Sequence, residues 1–288
     1  MCYYIAVVGL NFITGMTGQP MLGMAGVFAL GGYTSGLLTT KLGFTPWTAI
    51  PFVLLAGLII GILLGYPSLR VSGVYLSFTT IGFSEIVRIL LNNMTGLTGG
   101  GTGLKDIPSF SVFGYTLTSM RELFLLYALI AMLVALFASR IIHSKWGKSF
   151  IAVKDNIEAV PVCGINLTTV KVTAFCLTTM LGCLGGSMYV HMINYANPST
   201  YTQPLSVSML SMLIIGGMGS NIGCFIGTVI VICLPELLRF LGRYYDLVYA
   251  IIVMLVIIFM PYGLVNVFKE KHLRMSRKDL LRIFIRRT

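Results

Sequence analysis

Apolar residues fill this chain in long blocks, and most charged residues fall between the blocks. No Asp, Glu, Lys or Arg precedes Lys41, and none lies between Lys171 and Glu236. Further blocks run over 46–66, 123–142 (broken only at Arg140) and 247–261, and 71–93 is helix-like and mostly apolar. The blocks are too long and uniform for a β-barrel, and no strand-like alternation is visible. A helix needs ~20 mostly apolar residues to cross a hydrocarbon core. The pattern therefore predicts an all-α, polytopic transmembrane bundle. The first block, 1–14, is short for a span and lacks the charged start of a cleavable signal peptide, so it reads as a partial helix.

Composition narrows the picture. Of 288 residues, 56% are apolar and 10% are charged. A soluble fold of this length could not hide that much apolar surface, and disorder or a disulfide-rich secreted module is excluded by the same values.

The net charge of +11 reports orientation. Arg140, Lys145, Lys148, Lys154 and Lys171 surround one loop, and Lys269, Lys271, Arg274, Arg277, Lys278, Arg282, Arg286 and Arg287 crowd the tail 266–288. The positive-inside rule places both segments in the cytoplasm. Four apolar segments separate them (168–192, 205–218, 222–240 and 246–265), an even number that agrees with that placement. Arg70 then also falls inside, while Lys41, Lys105, Arg121, Arg239 and Arg243 fall outside. The tail follows a span directly and has little aromatic interleaving. It reads as a topology signal in contact with anionic membrane lipid rather than as a nucleic-acid site. The expected organisation is a membrane domain over 1–265, with a cytoplasmic loop at 143–167, and a basic cytoplasmic tail over 266–288.

Two glycine-rich strings interrupt apolar sequence: one holds Gly15, Gly18 and Gly23, the other Gly216, Gly217, Gly219 and Gly223. Breaks at corresponding places in two halves mark discontinuous helices in transporters and suggest an internal repeat; tight hairpin turns are the alternative. Gly57 and Gly61 form a small-residue stripe suited to close helix packing, as do Gly182, Gly185 and Gly186.

Chemistry-bearing residues are few. The three His form no paired metal motif and the six Cys show no zinc spacing. The string Gly99–Lys105 lacks the Gly-Lys-Ser/Thr ending of a phosphate-binding loop. No catalytic cluster, resident cofactor or metal is expected. Glu85 and Arg88, spaced i, i+3 inside an apolar block, read as a structural ion pair or as an intramembrane functional pair. Glu236 and Arg239 repeat that spacing, and His191, Asn194 and Asn197 read as an interfacial polar cluster near an outer helix end. The loop 146–166, WGKSFIAVKDNIEAVPVCGIN, is amphipathic and suits either a partner's groove or the membrane surface.

These strings together resemble the branched-chain amino-acid permeases of ATP-binding-cassette importers, of LivM type. The resemblance is carried in order by LNFITGMTGQPMLGMAGVFALGGYTSG, PSLRVSGVYLSFTTIGFSEIVRILLNN, LTGGGTGL, WGKSFIAVKDN with GIN, KVTAFCLTTMLGCLGGSMYVH, LIIGGMGSNIGCFIGTVIVICLPELL and MPYGLV, over residues 9–265. It implies one multi-pass subunit of an importer in a bacterial cytoplasmic membrane. The implied partners are a second, LivH-like permease, two ATP-binding subunits that use the ATP, and an extracytoplasmic substrate-binding protein. It also implies that Glu158, Ala159 and Gly164, with Lys154 and Asp155 nearby, form the loop that docks on the ATPase. Val160 and Pro161 depart from that loop's usual pattern, so the docking helix is expected to end before Pro161. Relatives carry a further hydrophobic segment before LNFITG, where this chain has only Met1–Val8, so about eight spans are expected. The open alternatives are a urea or small-amide importer of the same family and an ion-coupled secondary transporter that uses acids such as Glu85.

Overall fold

The computed structural model describes residues 1–238 except 72, 113, 114, 117 and 118, together with Met254, Gly263 and Leu264. Arg239, Arg243 and the basic tail 266–288 lie outside the described residues, as does the last apolar segment 246–265 apart from those three positions. The chain divides into two compact units, Met1–Leu210 and Ser211–Thr288.

The first unit opens with α1 (Cys2–Leu10), which continues as a π-helical stretch over Asn11–Met16. There follow α2 (Met24–Lys41), α3 (Pro46–Gly65), α4 (Val74–Asn93) and a single turn, α5 (Thr95–Thr98). A hairpin of two-residue strands comes next, β1 (Ser111–Val112) paired antiparallel with β2 (Tyr115–Thr116). Then come α6 (Met120–Ile142), α7 (Lys145–Asp155), α8 (Ala159–Val162) and α9 (Leu167–Ile193). The division falls within α10 (Gln203–Gly216), and the second unit contains α11 (Asn221–Leu238). Apart from the small hairpin, the predicted all-α architecture holds. The hairpin escaped the pattern because two residues per strand carry no periodicity.

Among the described residues, four helices are long and apolar enough to cross a membrane: Pro46–Leu69, Val74–Asn93, Met120–Ile142 and Leu167–Ile193. Cys2–Met16, Gln203–Gly216 and Asn221–Glu236 are apolar but shorter. The first apolar block thus lies in a helix shorter than these four. The long helices begin at legible signals. Thr45 caps α3 by accepting from Thr48 N–H at 3.3 Å, with Pro46 at the first helical position, and Asn166 caps α9 by accepting from Thr169 N–H at 3.3 Å.

The centre of the first unit is α9. Of its apolar window 61% is buried, against 22% for α6, so α9 is surrounded by protein while α6 presents most of its apolar surface outward. Close approach explains the difference. A Cβ on Gly57 would lie 2.7 Å from Met180 Cα, and one on Gly61 would lie 2.5 Å from Cys176 Cα. Gly65 extends the same stripe toward Val172. On another face of α9, Cβ atoms on Gly182, Gly185 and Gly186 would strike Met24, the Cys2 carbonyl and the Phe28 carbonyl. With no side chain between them, the helices touch backbone to backbone. Thr178 donates to Gly9 O at 2.8 Å and Thr179 to Gly57 O at 2.7 Å, which joins α9 to α1 and α3 by hydrogen bonds. Buried aromatic rings fill the remaining space; Phe28, Tyr33 and Tyr201 are each almost wholly buried and in mutual ring contact through Tyr201.

Candidate functional site

The two glycine-rich strings fold differently. Gly216–Gly223 is a tight turn between α10 and α11, with Gly217 at φ 117° and Gly219 at φ 85°, and a Cβ on Gly216 or Gly223 would strike the other's carbonyl. Here the hairpin reading holds. Between Met16 and Met24, in contrast, the chain is non-helical and mostly buried. Buried backbone at this level must find polar partners inside the protein, and it does. Gln19 N–H donates to Ile13 O at 3.2 Å, Met21 N–H to Thr14 Oγ1 at 3.3 Å and Leu22 N–H to Thr80 Oγ1 at 3.1 Å. The Pro20 carbonyl accepts from Ser77 Oγ at 3.3 Å, and Ala25 N–H, in the first turn of α2, donates to Ser206 Oγ at 2.8 Å. Gly18 sits at φ 71°, a backbone region that favours glycine, and a Cβ on Gly23 would collide with the Thr80 carbonyl. This non-helical discontinuity holds Gly18 and Gly23, while Gly15 lies within the helical turn before it.

The amphipathic loop packs against that discontinuity. Ser144 caps α7 by accepting from Trp146 N–H at 3.2 Å. Gly147, Phe150 and Val153, at helical spacing, form its buried face, and Phe150 meets Phe12 edge-on at 6.3 Å. At its C-terminal end Lys154 Nζ donates to Gly15 O at 2.9 Å. Asn156 then ends the helix: its Oδ1 accepts from the N–H groups of Glu158 and Ala159 at 3.1 and 3.2 Å. The loop thus holds two helical pieces, and the first, α7, stops at Asp155. Pro161 is accommodated in the single turn of α8, where it has no helical bond to lose. Gly164 follows at φ 73° with open space around it, and Glu158, Ala159 and Gly164 are all exposed. Four large apolar side chains stand out along this loop: Trp146, Ile151, Ile157 and, at 88% exposure, Val162.

Between the discontinuity and the loop lies an open cleft of about 580 Å³. Thr17, Gly18, Gln19, Gly73, Lys154, Asp155, Asn156, Glu158 and Lys171 are among its lining residues. The fold therefore brings together Gly18, Lys154, Asp155 and Glu158, with Gly15 tied in through Lys154. Glu85 and Arg88 are not among its lining residues. Sequence reasoning missed Gln19, and it counted Lys171 among the loop's basic residues although that side chain is only 3% exposed. The signal for Lys171 was its place inside the predicted helix rather than before it.

Glu85 and Arg88 form the expected ion pair on α4. Arg88 Nε donates to both carboxylate oxygens at 3.0 Å and Nη2 to Oε1. The pair is half-exposed, on the border between the face packed against the protein and the open face. At the opposite end of α9 from Lys171, His191 is fully buried. Its Nε2 lies 2.7 Å from Ser35 Oγ and its Nδ1 2.6 Å from Pro108 O, while Asn194, at φ 60°, donates to Ile107 O at 2.6 Å. With the Leu104–Ala196 bridge, this cluster pins the loop after α5 onto α2 and α9.

The family described as branched-chain amino acid transport system / permease component matches residues 1–260. The chain is 32% identical over 287 residues to the high-affinity branched-chain amino acid transport system permease protein LivM of Salmonella typhimurium, covering 92% of this chain and 68% of that one. It is 31% identical to the Escherichia coli protein of the same name, with the same coverage. The probable LivM of Methanocaldococcus jannaschii is 24% identical, covering 82% of this chain and 78% of that relative. No solved structure matches. On the match to residues 1–260 and the identity to the two LivM proteins, the chain belongs to the branched-chain amino acid transport permease family.

Proposed function

We propose that this chain is a membrane-spanning subunit of an ATP-binding-cassette importer that carries leucine, isoleucine and valine across a bacterial cytoplasmic membrane. It would work with a second permease, two ATP-binding subunits and an extracytoplasmic substrate-binding protein, with its loop 143–167 and its tail in the cytoplasm. In this reading the chain makes about eight spans, four of them the long apolar helices and the others shorter apolar segments, with four crossings between the loop and the tail, the last at 246–265. One observation carries the proposal beyond family membership. The segment 145–166 is N-capped and anchored by its buried face, yet it holds four large apolar side chains out of the protein. A partner's groove that covers those side chains accounts for their exposure. Glu85 is committed to Arg88, which supports ATP as the energy source over an ion carried on that acid.

ATP binding and hydrolysis in the partners would move the loop, and the loop would move the bundle between two states of different stability. The test is reconstitution with the partner subunits in vesicles. Glu158→Ala and Gly164→Ala should insert in the membrane at wild-type levels but lose leucine uptake and substrate-stimulated ATPase activity. Uptake at the wild-type rate in both variants would remove the loop from the mechanism.

A further inference from the structure

Lys171 is a buried lysine, and its placement needs a reason. It is the fifth residue of α9, 3% exposed, and it lines the cleft beside α7. Its ammonium can donate three hydrogen bonds. Among the described residues it makes one, to Ser68 O at 3.4 Å, and has no ion-pair partner. Burying an ammonium with no paired counter-charge is costly, so an anionic group that enters the cleft and pairs with it is favoured.

The rest of the lining narrows what enters. Gln19 is 7% exposed, and its Oε1 has no partner among the described residues, a second buried polar group left incomplete. Lys154 is already bonded to the Gly15 carbonyl. The exposed carboxylates of Asp155 and Glu158 stand in the lining as well. A buried cation with exposed acids in one cleft of about 580 Å³ complements a small molecule that carries both charges.

We propose that this cleft binds a free α-amino acid, with Lys171 holding its carboxylate and the Asp155 and Glu158 carboxylates facing its ammonium. The class of ligand rests on the permease reading above; the need for an anion at Lys171 does not. The cleft lies at the loop end of the bundle, so the bound molecule would be the transported solute on its release side.

The experiment uses the purified full chain in phosphatidylcholine nanodiscs and radiolabelled leucine. Leucine should bind. Leucinol, which lacks the carboxylate, should fail to compete, and 4-methylpentanoate, which lacks the ammonium, should compete weakly. Lys171→Met should weaken binding about tenfold or more, the loss of one charge-assisted hydrogen bond, and Lys171→Arg should restore most of it. Wild-type affinity in Lys171→Met, or full competition by leucinol, would overturn the proposal. So would displacement of leucine by phosphatidylglycerol or inorganic phosphate at concentrations that leave Lys171→Met unaffected, because the anion would then be a phosphate. ATP-driven leucine uptake by the assembled complex separates the two readings. Uptake without Lys171-dependent binding sinks the site alone, and Lys171-dependent binding without uptake sinks the transport function alone.

Discussion

The start of α2 depends on a hydroxyl from another helix, which makes Ser206→Ala a sharp perturbation. The Gly23 cap has no side chain, so Ala25 N–H, one of the donors at a helix start with no intrahelical acceptor, is satisfied by Ser206 Oγ at 2.8 Å. Ser206 is wholly buried, and the hydrogen bond is buried with it. Substituting Ala removes one oxygen, which leaves a space too small for a water to take its place. The donor is then buried and unsatisfied, at about 1–3 kcal/mol. Ser208→Ala, on the same helix, is the control, because the Ser208 hydroxyl makes no hydrogen bond among the described residues. Reversible denaturant unfolding in mixed micelles measures both. A Ser206→Ala loss within about 0.5 kcal/mol of the control, the usual range for neutral substitutions, would refute the remote-cap argument.

Other substitutions test other parts of the same reasoning. Gly61→Ala places a Cβ 2.5 Å from Cys176 Cα and should destabilise by about 1–3 kcal/mol through overpacking in the same unfolding assay, while Gly82→Ala, in open space on α4, should be neutral or stabilising. Lys154→Met removes the bond to Gly15 O and should raise the ATP consumed per leucine carried in the reconstituted complex, with membrane accumulation unchanged. For the α4 ion pair, Glu85→Gln or Arg88→Gln alone leaves one uncompensated charge, so each should lower the amount of folded protein in the membrane more than the double substitution does; the reverse order would show that the pair is not coupled.

What could be read from the sequence was what depends on neighbours along the chain. The borders of α3, α6 and α9 follow apolar block lengths and local caps at Thr45 and Asn166. The stop at Asn156 follows from Asx-turn chemistry and a nearby proline. Partners far apart in sequence were not legible. The discontinuity at Thr17–Gly23 was marked by its glycines, but its acceptors Thr80 and Ser206 and its cation Lys154 lie 58 to 181 residues from the groups they bind. Lys171 was misread for the same reason. Charge next to a loop predicts solvent, and only the packing of α9 carries that ammonium inside.

The packing also limits how the first unit can move. Where Gly57, Gly61, Gly185 and Gly186 bring backbones into contact, no layer of side chains is left to slide or repack, so α1, α2, α3 and α9 resist relative tilting. The hydrogen bonds from Thr178 and Thr179 reinforce that group across α9. At Thr17–Gly23 the backbone leaves the helix and is held by side-chain hydroxyls, which can exchange partners without a change of volume. Lys154 ties α7 to the edge of that segment. A displacement of the loop would therefore act on the Met16–Met24 joint through Lys154, where hydroxyls that can change partners make a two-state change less costly than it is where helix backbones touch.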